Sequence, residues 1–286
     1  MIQFVRRNLL IFFRDKASVF FSLLSVFIII GLYFLFLGDL LVKGLEGEGM
    51  TGVRYLMDSW IMAGLLSVTP ITTVLGALGI MIGDKEYGLS KDFSASPIKR
   101  SKLTCGYILS AAVISFILTL FTLVLAEIYI IYNGGELLSF EALWKVLALI
   151  ILQILSSGFI LFLVVSFMKT ASAFGALSTV LGTLIGFLTG IYIPIGNLPA
   201  SVQTVVKVFP PAHIGMLLRK IMMEQAEKIT FAGVPREFVD AFRFELGVSF
   251  KIGNTVINPA ISILYLVIVT IIFFLLAVWR LSRKDN

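Results

Sequence analysis

Six stretches of this 286-residue chain run for 20 residues or more almost without charge, at 18–37, 60–82, 103–132, 142–168, 171–193 and 259–279. That is the length a helix needs to cross the roughly 30 Å hydrocarbon core of a bilayer at about 1.5 Å per residue. In lipid each backbone amide has to be satisfied within its own segment, which turns such runs into helices. The expected fold is therefore all-α and integral to the membrane, one domain over 1–286 with six transmembrane helices. Composition agrees: 58% of residues are hydrophobic and 14% charged, where soluble proteins have about 25% charged. The 25 phenylalanines suit a lipid-facing surface.

Segment 1–17 mixes Arg6, Arg7, Arg14, Asp15 and Lys16 with Phe4, Leu9, Leu10, Phe12 and Phe13. It lacks the short apolar core and small-residue cleavage site of a signal peptide. The pattern fits an elbow helix lying in the membrane interface; an extension of the first spanning helix is the alternative. Orientation follows from where the positive charge falls. Segments 1–17 and 83–102, the turn at Lys169 and the tail after 279 hold 13 of the 23 Lys and Arg residues. The two short loops on the other side hold only Lys43, Arg54 and Lys145. Both termini are expected in the cytoplasm, with the chain multi-pass in the cell membrane. The net charge of +6 is then that of cytoplasmic loops, and nucleic acid is not an expected partner.

Segment 194–258 is expected outside. Pro194, Pro199, Pro210 and Pro211 cannot all sit inside one regular helix, since each removes a donor and clashes with the preceding turn. Val202, Val205, Val206, Phe209, Ile214, Leu217 and Leu218 nevertheless recur at near-helical spacing. Short re-entrant or outer helices broken at the prolines satisfy both facts. Residues 220–258 read as a small amphipathic helical element, since about 40 residues make a marginal domain without staples. Gly182, Gly186 and Gly190 form a four-residue stripe that allows close helix contact, within one subunit or at a dimer seam.

Several chemistries are excluded by their requirements. There is no G-x-x-x-x-G-K-[ST] phosphate loop, although Gly79 and Gly83 carry some of its glycines. One histidine, His213, and one cysteine, Cys105, leave no zinc-hydrolase set and no internal disulfide; Cys105 reads as a buried, inert thiol. This chain is expected to bind no cofactor or metal and not to act as an enzyme alone. Glu127 is the one acid inside an apolar run. It is either a functional residue or a group reaching the interface or a nearby tyrosine. The competing functional classes are an ion-coupled secondary transporter, which usually needs paired ionisable groups at mid-membrane, and a non-transport scaffold or sensor.

Between the second and third runs stand Asp84-Lys85-Glu86-Tyr87-Gly88-Leu89 and then Ser96-Pro97-Ile98-Lys99-Arg100. The acids favour a helix N-terminus and Pro97 a helix end, so a short cytoplasmic helix is expected; a solvated basic loop is the alternative. These residues carry a resemblance to the permease subunits of type-2 ABC exporters. Glu86, Gly88, Ser96, Pro97 and Arg100 are similar to that family's acidic-x-Gly loop closed by Ser/Thr-Pro and a basic residue. Pro194, Leu198, Pro199, Pro210 and Arg219 resemble its Pro…Leu-Pro…Pro…Arg signature, and Arg14 with Asp15 its elbow pair. Leu89 and Lys91 depart from the Thr and Glu common in that loop, and the external segment is longer than in compact members.

The resemblance implies a half-transporter that pairs with a second permease copy, as homodimer or heterodimer, and with two ATPase subunits that bind ATP and Mg. It implies that 86–96 is the main coupling helix, with Asp84, Glu86, Gly88, Ser96 and Pro97 at or beside it, and that Lys169 in the 169–172 turn is a second contact. It places Pro194, Pro199, Pro210 and Arg219 on the pathway or outer gate; Glu127 is a pathway candidate on its own account, as the one acid inside an apolar run. The cargo it implies is a drug, peptide or lipid-like amphiphile.

Overall fold

A computed structural model describes residues 1–37, 39, 42, 50–89, 93, 100–252 and 255–282. Helix α1 (Ile2–Arg14) buries Val5, Asn8 and Phe12 on one face and leaves Ile2, Leu10, Ile11 and Phe13 uncovered. Asp15 ends it and caps the next helix, its carboxylate accepting from the amides of Ala17 and Ser18 and from the Ser18 hydroxyl. Helices α2 (Lys16–Ser22) and α3 (Leu24–Leu32) meet at Leu23 with a 46° bend, and α3 runs on into a π-helical turn, Tyr33–Leu37.

Four long helices follow: α4 (Val53–Glu86), α5 (Arg100–Tyr132), α6 (Phe140–Ser166) and α7 (Ala171–Leu188). With the terminal helix α12 (Pro259–Ser282) they make five that are long and apolar enough to cross a membrane; the bent pair α2–α3 is a sixth if counted as one span. Two ends of the bundle can be told apart. The proximal end carries α1, the end of α4, the start of α5 and the α6–α7 turn. The distal end carries the start of α4, the α5–α6 turn and the short elements after α7.

Helix α4 is the axis: α2, α5, α6 and α7 all pack on it, and 78% of its most apolar window is buried, against 11% for α7. Close approach explains part of this, since a Cβ at Gly76 would collide with the Ser22 hydroxyl of α2. Pro70 is accommodated inside α4. The Ser115 hydroxyl of α5 donates to the Pro70 carbonyl and accepts from Thr73, while Gln153 of α6 donates to the Ser67 carbonyl.

Between α7 and α12 the prolines act as starts. Pro194 precedes a 3-10 turn (Ile195–Asn197), Pro199 caps α8 (Ala200–Val208), and Pro210 opens α9 (Pro210–Met222), the position where a missing amide costs least. Helix α9 is almost wholly buried, yet its 13 residues rise only about 20 Å, less than a bilayer core. Helices α10 (Glu224–Thr230) and α11 (Arg236–Glu245) form a cap over the distal end around Phe231, Phe238 and Phe242.

Four details differ from the sequence reading. The second spanning helix extends well beyond 60–82, because its ends hold paired charges that interrupt the apolar run but not the helix. The run 171–193 stops being helical at Leu188. There Gly190 takes φ +67° and a Schellman closure forms, with the amides of Ile191 and Gly190 donating to the carbonyls of Gly186 and Phe187. Segment 220–258 is not purely helical: β1 (Lys251–Ile252) and β2 (Thr255–Val256) pair antiparallel. Cys105 is exposed, not the buried thiol expected.

Candidate functional site

The proximal end is built around one carboxylate. Asp84 lies in the last turn of α4, not at a helix N-terminus, and is almost fully buried. Arg7 of α1 grips it with both arms, Nη2 to Oδ1 at 2.6 Å and Nη1 to Oδ2 at 2.7 Å. Tyr107 of α5 donates its hydroxyl to Oδ2 at 2.6 Å. A forked guanidinium–carboxylate pair is among the strongest hydrogen-bonded contacts available to side chains, and here the Asp84 bonds hold the Arg7 guanidinium still more firmly protonated. Phe4 and Phe93 flank that guanidinium, 5.7 and 5.3 Å from its carbon. Asn8, fully buried, donates to Ser110. Three elements are thereby fastened at one point.

Directly beyond this joint the surface opens. Glu86 and Tyr87 are exposed, and Gly88 takes φ +77°. Lys85 donates to the Met168 carbonyl at 3.1 Å, which sets the end of α4 beside the α6–α7 turn, where Lys169 is exposed. Thus Asp84, Glu86, Gly88 and Lys169 share one end of the bundle. Ser96 and Pro97 lie outside the described residues. Arg6, Arg14 and Asp15 are exposed along α1 and its end.

The distal end is built around a cation. Arg219, near the end of α9, is fully buried. Its Nη2 donates to the carbonyls of Thr189 and Gly190 at 3.0 and 3.1 Å, and its guanidinium lies 4.9 Å from the ring of Trp60 in α4. Nε and Nη1 have no hydrogen-bond partner among the described residues. The two carbonyls belong to the C-terminal end of α7, where unsatisfied acceptors and the helix dipole supply partial negative charge. Trp60 in turn donates its indole N–H to the Leu246 carbonyl at 2.7 Å. Arg219 and Trp60 together pin α4, α7, α9 and the distal cap. His213, one helical face away, ties α9 to Ser262 of α12 and to the Lys207 carbonyl.

Between the two ends runs a groove of about 930 Å³, walled by α2–α3, α4 and α7. Its wall is mostly apolar, with Ser25, Thr72, Ser178 and Thr183 along it and Asp15 and Glu86 at its proximal mouth. Gly182 faces open space, whereas Gly186 is covered by Tyr192 of the same chain, so the glycine stripe divides between an open face and internal packing.

Glu127 does not line this groove. It is half-buried at the α5–α6 turn and accepts the Leu138 amide at 3.0 Å. Pro194, Pro199 and Pro210 delimit the short helices leading to Arg219. Sequence reasoning missed the roles of Arg7 and Tyr107 and that of Asp58, which falls just outside the 60–82 run. Asp58 is fully buried in α4, 3.3 Å from Arg54, which also reaches Asp39 and Tyr129. The signal present was the i,i+4 spacing of Arg54 and Asp58, which pairs charges on one helix face.

Residues 43–279 match the family model described as "ABC-2 family transporter protein". No curated protein matches the chain.

Proposed function

From the premise that the chain belongs to the ABC-2 transporter family, as a multi-pass membrane permease, we propose that it is the transport subunit of an ATP-driven exporter. It works as a pair of permeases with two ATPase subunits, which bind ATP and Mg and perform the hydrolysis. This chain catalyses nothing by itself. Six spans result when α2–α3 is counted as one bent span, with α1 as an interfacial elbow and α8–α9 entering the outer leaflet without crossing it. The proximal end is cytoplasmic, in keeping with the basic residues that flank it, and so are both termini. The membrane is the cell membrane.

The observation that carries this reading is the Arg7–Asp84–Tyr107 joint beside the exposed Glu86 and Lys169. A partner pressing on Glu86 and Lys169 displaces α4, and the joint passes that displacement to α1 and α5 together. Asp84 then acts as a positioning residue behind the contact surface. At the far end of the same helix, Trp60 and Arg219 form the outer gate. The groove along α4 and α7 supplies one half of the pathway, the second copy supplying the other. Its apolar wall with scattered hydroxyls suits an amphiphilic drug, peptide or lipid. Nucleotide drives the cycle only by binding one arrangement of the ends better than the other.

Co-expression with an ABC ATPase subunit, gentle purification and measurement of stoichiometry and ATP hydrolysis test this. An assembly of two permeases and two ATPases with active hydrolysis is expected. A permease that purifies alone under the same conditions contradicts it and favours an ion-coupled transporter or a scaffold.

A further inference from the structure

A second cavity lies at the distal end, away from the groove just described. It has a volume of about 740 Å³ between α6, α9, α12 and the β1–β2 hairpin, within the size range of small-molecule sites. Its floor is aliphatic, from Leu149 and Leu152 of α6, Leu217 and Ile221 of α9, and Ile263 of α12. Its rim is charged. Three acids stand there, and each is engaged: Glu227 by Arg243, Glu224 by Lys228, and Asp240, more distantly at 3.9 Å, by Arg243. Lys145 of the rim is matched by Glu141 at 2.6 Å. Lys220 and Lys251 have no carboxylate within 4 Å among the described residues. The ammonium of Lys251 lies 5.0 Å from the Phe244 ring, and Lys220 is exposed. A further cavity of about 560 Å³ shares Lys220, Val248, Ser249, Val256 and Pro259 with the first, so Lys220 stands between the two.

The vertical arrangement is that of a lipid. Exposed Phe140 and Trp144 at the start of α6 mark the level at which aromatic side chains meet headgroups. Lys145 is beside them, and Leu152, seven residues further on, lies about 10 Å deeper at 1.5 Å per residue. Cationic groups at headgroup height above an aliphatic floor are complementary to a molecule with one anionic end and a hydrocarbon chain.

We propose that this cavity binds a phospholipid with an anionic headgroup, the phosphate held by Lys220 and Lys251 and an acyl chain laid between α6 and α12 over Leu149, Leu152 and Ile263. The bound lipid bridges the bundle and the hairpin. The site requires only that the distal end meet a membrane surface. It does not rest on ATPase pairing, so a permease that purifies without an ATPase leaves it standing.

The test places the purified full chain in phosphatidylcholine nanodiscs containing a trace of photoactivatable phosphatidylglycerol, its reactive group on the acyl chain. Adducts are mapped by peptide mass spectrometry. Labelling of the 149–152 and 263 regions should exceed that from the matching phosphatidylcholine probe by about thirtyfold, the scale set by two lysines at a headgroup surface. The double variant K220Q/K251Q should reduce it to the phosphatidylcholine level while eluting as the folded protein. Leu152→Trp, which fills the floor and keeps the charges, should remove labelling by both probes. Equal labelling by the two probes, or labelling unchanged in the double variant, overturns the proposal.

Discussion

Two arginines hold the two ends of this bundle, and they do so by opposite means. Arg7 is partly open to water and grips a buried carboxylate in a fork that a tyrosine completes. Arg219 is closed to water and, among the described residues, is met by no carboxylate, only by two backbone carbonyls and an indole face. The first contact is charge against charge and resists being pulled apart. The second depends on the carbonyl end of α7 staying where it is, because two nitrogens of this buried cation have no partner among the described residues and the α7 carbonyls are its only hydrogen-bond acceptors there. On the function proposed above, a joint at one end and a releasable pin at the other divide the work of a lever: force enters at the surface beside Asp84 and the arrangement changes at Arg219.

That contrast predicts a reversal in how the two arginines tolerate lysine. The largest effect is expected for Arg219→Lys. A compact, strongly hydrated ammonium cannot lie flat on Trp60 while serving both carbonyls, and its burial is costly, so a loss of about 3 kcal/mol is expected. Arg219→Met removes the charge with the donors and should cost less, about 1–2 kcal/mol for the carbonyls left unpaired. At the proximal end the order inverts. Arg7→Met strands the Asp84 carboxylate and should cost about 2–3 kcal/mol, at the low end for a broken buried pair because water reaches the site, while Arg7→Lys retains part of the interaction. Thermal unfolding of the four variants in the same detergent reads both orders; lysine ranking above methionine at 219 would erase the distinction.

Trp60→Phe comes next. It keeps a ring under Arg219 but removes the donor to Leu246, with an expected loss of about 1 kcal/mol and faster proteolysis of the distal cap. The smallest effect concerns the α1–α2 hinge. Asp15→Ala should cost about 1 kcal/mol or less through loss of the helix cap. Hydrogen bonds from Ser18 hold the Asp15 carboxyl below the usual carboxylate range. Its contribution is therefore present above the unfolded carboxylate pKa and is lost as pH falls through the lower folded value. The wild-type minus D15A difference should vanish in acid; a difference that instead grew as pH fell would contradict the cap.

What could be read from the sequence divides along the same line. The apolar runs and the breaks at Pro194, Pro199 and Pro210 follow from local chemistry that a linear reading captures, whereas the interest of Arg219 comes from the family resemblance alone. The pairing of Arg7 with Asp84 does not, because 77 residues separate them and each resembles an ordinary flanking charge. Asp84 reads as a helix-start residue and Asp58 falls just before the 60–82 run, since hydropathy falls at the ends of a span, yet the helix continues there because paired charges can be buried. Gly190 was counted in a packing stripe, although a glycine after the last apolar turn also reads as a helix end. The exposure of Cys105 depends on which face of α5 meets α1, a tertiary fact. Residues 94–99, with Ser96 and Pro97, rest on the sequence alone.

The central claim, that force enters through the surface beside Asp84, is tested most directly by permease-dependent ATP hydrolysis of the co-expressed complex carrying Glu86→Lys. With wild-type stoichiometry retained, the stimulation of hydrolysis by the permease should fall by about tenfold, the scale of a typical coupling between sites. Unchanged stimulation in a complex that assembles normally would contradict it.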